Sequence, residues 1–327
     1  MYVVTGGAGF IGSAVIWRLN RAGITDILVV DNLGHADKWK NLVNRRYADY
    51  LHRSEFLRLL RDNALPGGIQ GMVHLGACSD TTQGDADFLM ANNVAFSQHV
   101  CRYATERGIR LVHASSASTY GNGAAGFASS REILPRLKPL NMYAYSKHFF
   151  DLWLLDNGLD GQVASLKFFN VYGPNEYHKG SMRSVACKAF GEIAATGRMR
   201  LFRSSSRDYA DGGQMRDFVY VKDCAEVVFW LLHNPEVNGF LNVGTGSART
   251  WNDLARAVFA ALGRQPAIEY VDMPEALHGK YQDFTRADMA WLEEKKCPVR
   301  FVDIEAGVAD YARYLQGSDP YLEMCPA

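Results

Sequence analysis

Tyr143 and Lys147 stand four residues apart in the run Tyr143-Ala144-Tyr145-Ser146-Lys147. On a helix that spacing places both side chains on one face. A tyrosine titrates near ~10 and is a poor base at neutral pH. A neighbouring ammonium favours the phenolate and lowers that value. The pair therefore reads as a proton-transfer group with its electrostatic support. Two helix-surface residues can share the same spacing, so the weight comes from what accompanies them. A serine-rich run, Ala114-Ser115-Ser116-Ala117-Ser118-Thr119-Tyr120-Gly121, follows an apolar segment at 109–112. In open α/β sheets ligands bind beyond the carboxyl ends of strands. Ser116 there can hydrogen-bond a hydroxyl as it becomes a carbonyl, while capping and turn formation compete for any one of these serines.

A second constellation lies at the start of the chain. Thr5-Gly6-Gly7-Ala8-Gly9-Phe10-Ile11-Gly12-Ser13 sits between an apolar run at 2–5 and a helical pattern at 11–22. It reads as Gly7-x-Gly9-x-x-Gly12 or as Gly6-x-x-Gly9-x-x-Gly12. Glycines permit a tight turn and close backbone approach. The helix N-terminus that follows offers free N–H groups to a pyrophosphate. Asp31 closes the next apolar run, 27–30, and its carboxylate suits an adenosine ribose. The loop thus implies a nicotinamide dinucleotide, whose cationic ring further favours a phenolate at Tyr143 and whose ribose Lys147 can hold. Asp31 alone favours NAD, whereas Lys38, Lys40 and Arg53 offset its charge and admit the 2′-phosphate of NADP. The residues alone leave that choice open.

These groups need a scaffold that brings strand ends together. Apolar runs at 27–30, 71–75, 109–114 and 163–169 have the continuous character of parallel strands buried on both faces. Helical patterns at 11–22 and 86–106 separate them. The alternation predicts an α/β fold: a doubly wound parallel sheet of Rossmann type, with a smaller mixed α/β C-terminal substrate domain. The expected division is 1–169 with 217–248 for the dinucleotide-binding domain, and 170–216 with 249–327 for the substrate domain. Strand-like 217–221, helical 225–233 and strand-like 240–243 are expected to rejoin the first. Residues 203–216, polar and with three arginines, read as a long loop over the cleft.

Composition narrows the class. The chain has 327 residues and a formal net charge of zero, so no global field draws it to nucleic acid or an anionic membrane. No apolar run approaches the ~18 residues of a membrane helix, and no basic and apolar leader opens the sequence. A cytoplasmic location is the default expectation. The six cysteines are scattered without a Cys-x-x-Cys pair, which favours free thiols and no metal site.

Taken together, Gly6-x-x-Gly9-x-x-Gly12, Ser116-x-x-x-Tyr120-Gly121 and Tyr143-x-x-x-Lys147 resemble the extended short-chain dehydrogenases, a family that includes nucleotide-sugar epimerases and dehydratases. Phe169-Asn170-Val171-Tyr172-Gly173-Pro174, Arg216-Asp217-Phe218-Val219-Tyr220-Val221 and Asn242-Val243-Gly244-Thr245-Gly246 carry the likeness along nearly the whole chain. The dehydratases place an Asp-Glu pair after the catalytic hydroxyl residue. Ala117 and Ser118 stand there, and neither is a general acid or base.

Within the family, His178-Lys179-Gly180-Ser181-Met182 resembles the epimerases of ADP-linked manno-heptose, as do Val30-Asp31-Asn32-Leu33, Gly76-Ala77-Cys78-Ser79 and Lys280-Tyr281-Gln282. That likeness implies epimerisation at C6″ by oxidation and re-reduction on bound NADP, a step toward the lipopolysaccharide inner core. Tyr143 and Lys179 would serve as bases on opposite faces, supported by Ser116 and Lys147. Burial would bring the Lys179 amine into a useful range. The resemblance implies that Gly6, Gly9, Phe10, Ile11, Gly12, Asp31, Asn32, Lys38, Arg53, Leu75, Gly76, Ala77, Cys78, Ser79, Asn92, Lys147, Val171 and Lys179 contact NADP. It likewise implies that Asn170, Ser181, Lys188, Phe202, Arg203, Ser204, Ser205, Arg216 and Tyr281 contact the ADP-heptose substrate.

Four positions depart from the familiar pattern: Arg53 for lysine, Lys188 for histidine, Leu75 for an acidic residue, and a longer, more basic loop at 203–214. A homo-oligomer is implied, with a pentamer among the states open. The competing readings are another nucleotide-sugar epimerase or reductase, such as a UDP-sugar 4-epimerase, and a non-catalytic NAD(P)-sensing regulator. The first has no need of a lysine at 179. The second has no need of Ser116, Tyr143 and Lys147.

Overall fold

A computed structural model describes residues 1–204, 206–274 and 282–325. Its strands in chain order are β1 (Tyr2–Thr5), β2 (Ile27–Asp31), β3 (Asp49–His52), β4 (Gly71–His74), β5 (Arg110–Ser116), β6 (Val163–Phe168), β7 (Asn170–Tyr172), β8 (Met199–Phe202), β9 (Met215–Tyr220), β10 (Gly239–Val243), β11 (Ala248–Thr250) and β12 (Ile268–Val271). The α-helices are α1 (Phe10–Arg21), α2 (Arg53–Arg61), α3 (Ala86–Leu89), α4 (Phe96–Glu106), α5 (Met142–Asp156), α6 (Val185–Thr196), α7 (Val221–Leu232), α8 (Trp251–Ala261), α9 (Ala290–Glu294) and α10 (Ile304–Gln316).

Among the described residues, seven strands form one sheet in the order β10-β6-β5-β4-β1-β2-β3. Every neighbouring pair in it is parallel. β2 is buried along its whole length, as expected of a strand covered on both faces. The strand order reverses between β1 and β4, so the crevice beyond their carboxyl ends is the ligand position of a doubly wound fold. β1 runs straight into the glycine turn there, and β5 ends there at Ser116.

The turn is tightly built. Gly6 has φ +70°, and the Gly9 N–H donates to its carbonyl at 2.9 Å. A Cβ on Gly12 would stand 2.1 Å from the Gly6 carbonyl oxygen, so only glycine lets α1 start this close to the loop.

Two smaller sheets lie outside this layer, β11-β9-β7 and β12-β8. They pack with α6, α8 and α10 around a second apolar cluster that includes Phe190, Ile193, Leu254, Val258 and Val308. α7 and β10 join the main sheet region as expected, but the strand after the polar loop does not. β9 pairs in parallel with β7 and antiparallel with β11. The apolar pattern of 217–221 could identify a strand, but not its partner.

The helical stretch 86–106 is also not uniform. α3 passes through a π-helical segment, Met90–Ala95, before α4 begins. That wider turn carries Asn92 and Asn93, and such bulges recur at functional sites. All six cysteines are free; Cys78 and Cys297 are half-buried and the others buried. Among the described residues no helix is long and apolar enough to cross a membrane, and no cluster suits a metal ion.

Candidate active site

A cleft of about 940 Å³ opens beyond the carboxyl ends of β1, β4 and β5. Every residue read from sequence as holding the dinucleotide lines it: Gly6, Gly9, Phe10, Ile11, Gly12, Asp31, Asn32, Lys38, Arg53, Leu75, Gly76, Ala77, Cys78, Ser79, Asn92, Lys147, Val171 and Lys179. Tyr143 and Ser116 line it too.

Asn141 caps α5 by accepting from the Ala144 N–H at 2.9 Å, which fixes where the helix begins. Tyr143 then sits in the first turn, and Lys147 one turn further in. Ser116 faces the Tyr143 side chain and favours its ionised form. Ser116 also caps the short 3-10 turn Ala117–Tyr120 and receives the Ser118 hydroxyl at 2.8 Å. The ammonium was expected to lower the phenol's proton affinity. Instead burial raises the Tyr143 pKa, with Ser116 opposing and Cys78 adding to the rise. Lys147 is itself 97% buried, since only 3% of its surface is exposed. Its Nζ donates to the Ala114 carbonyl at 2.6 Å. Burial lowers its pKa to about 8, with Asp151 pulling the other way.

Beneath Lys147 lies a closed polar network. Asp151 and Lys167 are wholly buried and meet at 2.6 Å. Asp151 also accepts from Ser115 at 2.6 Å and Ser165 at 2.9 Å, and Lys167 donates to Thr119 at 2.8 Å. The serine cluster therefore divides its labour: Ser115 faces the core and Ser116 faces the cleft.

Lys179 reaches the cleft from a separate element. It belongs to the 3-10 segment Tyr177–Met182, which lies between β7 and α6 and bends at Gly180, φ +54°. Its Nζ lies 5.5 Å from the centre of the Phe10 ring. Burial lowers its pKa, Glu176 raises it and Lys188 lowers it further. His178 lines the cleft beside it and meets Asn41 at 3.2 Å, while Asn41 donates to the Ala8 carbonyl at 2.9 Å. Burial first, then Lys38 and Lys179, pushes His178 down to about 4, so it is neutral at physiological pH.

At the far end of the glycine turn, Asp31 is already engaged. One carboxylate oxygen accepts from the Ala8 N–H at 2.9 Å. The other accepts from the Asn32 N–H at 2.7 Å and from Lys38 in a shorter contact. The turn fits a dinucleotide pyrophosphate, because the glycines leave its backbone approachable and α1 begins there. The side-chain oxygen of Asn92, buried and without a partner, is a further acceptor at the cleft wall.

The residues expected to meet substrate are less gathered. Asn170 and Ser181 line the cleft. Lys188 lies exposed on α6, and Phe202, Arg203 and Ser204 lie outside the lining. Arg203 pairs with Asp272 at 3.1 Å rather than reaching over the cleft. Arg216 is buried in β9, with its guanidinium 5.4 Å from the ring of Trp251, which does line the cleft. Ser205 and Tyr281 lie outside the described residues.

Sequence reading missed Trp251, Phe218 and His178 as lining groups. It also missed Asn41, Asn175 and Glu176, which hold the Lys179 loop. Thr250-x-x-Asp253 signals a capping box and hence the start of α8, but nothing in it signals that Trp251 faces a ligand. The other family motifs tie the walls together. Tyr120 donates to Asn242 at 2.6 Å. Asp217 accepts from Thr245, Gly246 and Ala287. Gln282 donates to the Gly121 carbonyl.

Comparison with known proteins agrees with this geometry. Residues 2–244 match the family model described as the NAD dependent epimerase/dehydratase family. The chain is 62% identical over 324 residues to the ADP-L-glycero-D-manno-heptose-6-epimerase of Nitratidesulfovibrio vulgaris, covering 98% of this chain and 100% of that one. It is 42% identical over 332 residues to the Fusobacterium nucleatum protein of the same name, again covering 98% and 100%. Among solved structures, the Helicobacter pylori ADP-L-glycero-D-manno-heptose-6-epimerase superposes with a TM-score of 0.80 at 25% identity, over 97% of this chain and 96% of that one. The chain therefore belongs to the NAD dependent epimerase/dehydratase family, among the epimerases that resemble those named for ADP-L-glycero-D-manno-heptose.

Proposed function

We propose that this protein interconverts ADP-D-glycero-D-manno-heptose and ADP-L-glycero-D-manno-heptose by oxidation and re-reduction at C6″, as a cytoplasmic step toward the lipopolysaccharide inner core. The observation that carries this reading is the placing of Tyr143 and Lys179 on separate elements that line one cleft. Epimerisation of an exocyclic carbon needs a proton-handling group on each face, and ring-carbon epimerisation has no such need of Lys179.

A bound nicotinamide dinucleotide supplies a reversible hydride acceptor. The glycine turn, Phe10, Ile11, Asn92 and Val171 would hold it, with Lys147 on the ribose. NADP is the form proposed, because Lys38 neutralises Asp31 and Arg53 adds a second cation to the same wall. In each direction one of Tyr143 and Lys179 takes the C6″ hydroxyl proton, and the other returns a proton to the ketone oxygen after the side chain of the sugar has turned. Ser116 orients the Tyr143 phenol, and Lys147 supplies positive charge beneath it. Asn170 and Ser181 would contact the sugar, and Arg216 would act with Trp251 near the nucleotide. The proposed functional partition is 1–169 with 217–248 for the dinucleotide and 170–216 with 249–327 for the substrate, with β9 reaching across to pair with β7 and β11. A homo-oligomer is part of the same reading.

The test incubates the protein with ADP-D-glycero-D-manno-heptose, without added reductant, and follows the epimer by NMR. Appearance of the L-glycero product, abolished in a Tyr143→Phe, Lys179→Met double variant, is expected. Conversion of UDP-galactose in its place would overturn the heptose assignment.

A further inference from the structure

Glu176 is wholly buried and takes no part in the proton transfers above. Its Oε1 accepts from the Gly173 N–H at 3.2 Å and from the Ser184 hydroxyl at 2.7 Å. Its Oε2 accepts from the Ser184 N–H in a shorter contact. Gly173 follows β7 directly, and Ser184 caps α6 by accepting from the Cys187 N–H at 3.1 Å. One carboxylate therefore joins the two ends of the loop 174–183, which carries His178, Lys179 and Ser181 into the cleft.

The loop needs such a tie. Asn175 and Gly180 both have left-handed backbones, φ +79° and +54°, a conformation uncommon outside glycine and most open to residues such as asparagine. Asn175 is itself pinned, donating to Ser13 at 2.9 Å and accepting from the Leu322 N–H at 2.9 Å. Both oxygens of Glu176 receive backbone N–H groups, the arrangement an ionised carboxylate satisfies. Burial pushes its pKa up, while these bonds and Lys179 draw it down. Lys179 in turn feels Glu176 raising its pKa and Lys188 lowering it. Tyr177, Cys187 and Tyr311 are the other titratable groups that feel the Glu176 charge.

We propose that Glu176 is the positioning residue of the second proton-handling site: it closes the loop that presents Lys179 and supplies the buried carboxylate that this amine faces. This deepens the two-base reading and rests on Lys179 being one of the bases.

The test reads the amine directly. Lysines of the full-length protein are reductively methylated with ¹³C-formaldehyde. The Lys179 signal, assigned by its loss in Lys179→Met, is then titrated in the wild type and in Glu176→Gln. The midpoint is expected to fall by about one pH unit on loss of the neighbouring charge; an unchanged or higher midpoint overturns the proposal. The titration does not depend on turnover. Normal epimerisation by Lys179→Met would sink the two-base reading, while the titration would still decide whether Glu176 governs the amine. If Glu176→Gln does not fold, Ser184→Ala keeps the charge and removes one tie. Its kcat is expected to drop roughly tenfold with KM little changed, as for a misplaced catalytic group; an unchanged kcat overturns the loop-closing role.

Discussion

The two walls of the cleft hold a lysine each, by different means. Lys147 is on a long helix, over a closed network of Asp151, Lys167, Ser115, Ser165 and Thr119. Its place is set by regular structure and by the core. Lys179 is on a short irregular segment, held at its ends by Glu176 and Asn175. Tyr177 in the same segment donates to the Pro320 carbonyl at 2.6 Å, and Arg45 donates to the carbonyls of Leu322 and Glu323. The segment at 319–325 thus straps the Lys179 wall to α1 and the 41–45 region. The difference teaches that one of these lysines is part of the fold, while the other is tied onto it by side chains.

That contrast can be broken by asking what each wall costs when cut. Lys167→Met leaves Asp151 buried without its cation, which should destabilise the protein by about 3–5 kcal/mol. Chemical denaturation checks this, and Lys179→Met should by comparison leave the midpoint nearly unchanged. Equal losses in both would erase the distinction.

A smaller effect separates the walls by pH. The folded pKa of Lys147 is about 8, below its ordinary 10.5. Between those values the unfolded chain binds a proton at Lys147 that the folded chain does not, so this residue's contribution to stability improves as pH rises through that window. The gain amounts to about 3 kcal/mol at most. Unfolding at pH 7.5 and pH 10 should show that rise in the wild type relative to Lys147→Met; a parallel pH dependence in both would contradict it. The smallest effect is expected at the strap. Tyr177→Phe removes one hydrogen bond, worth about 1 kcal/mol of stability, yet it should slow turnover more than that loss suggests. Denaturation and kinetics on the same sample compare the two.

The same contrast explains what the sequence made legible. Gly6, Gly9 and Gly12 are readable because a turn and a close helix approach demand glycine at those positions. Tyr143 and Lys147 are readable because a helix has a fixed period. Lys179 was found through family likeness, since no period governs a 3-10 segment bent at Gly180. Glu176 and Asn175 carried no local signal, because their partners Ser184, Ser13 and Leu322 are brought to them by tertiary packing. The pairing of β9 with β7 and β11, in place of the main sheet, escaped for a related reason: an apolar run marks a strand but not its neighbour. Lys188 and the 203–204 segment were carried over by position, yet they stand outside the cleft lining, where the loop's own ion pairs hold it.

The central claim is that Lys179 handles a proton and Tyr143 alone does not suffice. Its most direct test is the epimerisation rate of Lys179→Met on ADP-D-glycero-D-manno-heptose, with the unfolding midpoint measured on the same preparation. A loss of roughly a hundredfold or more, the usual scale for a missing general acid or base, with the midpoint unchanged, is predicted. A rate equal to that of the wild type would contradict the two-base site.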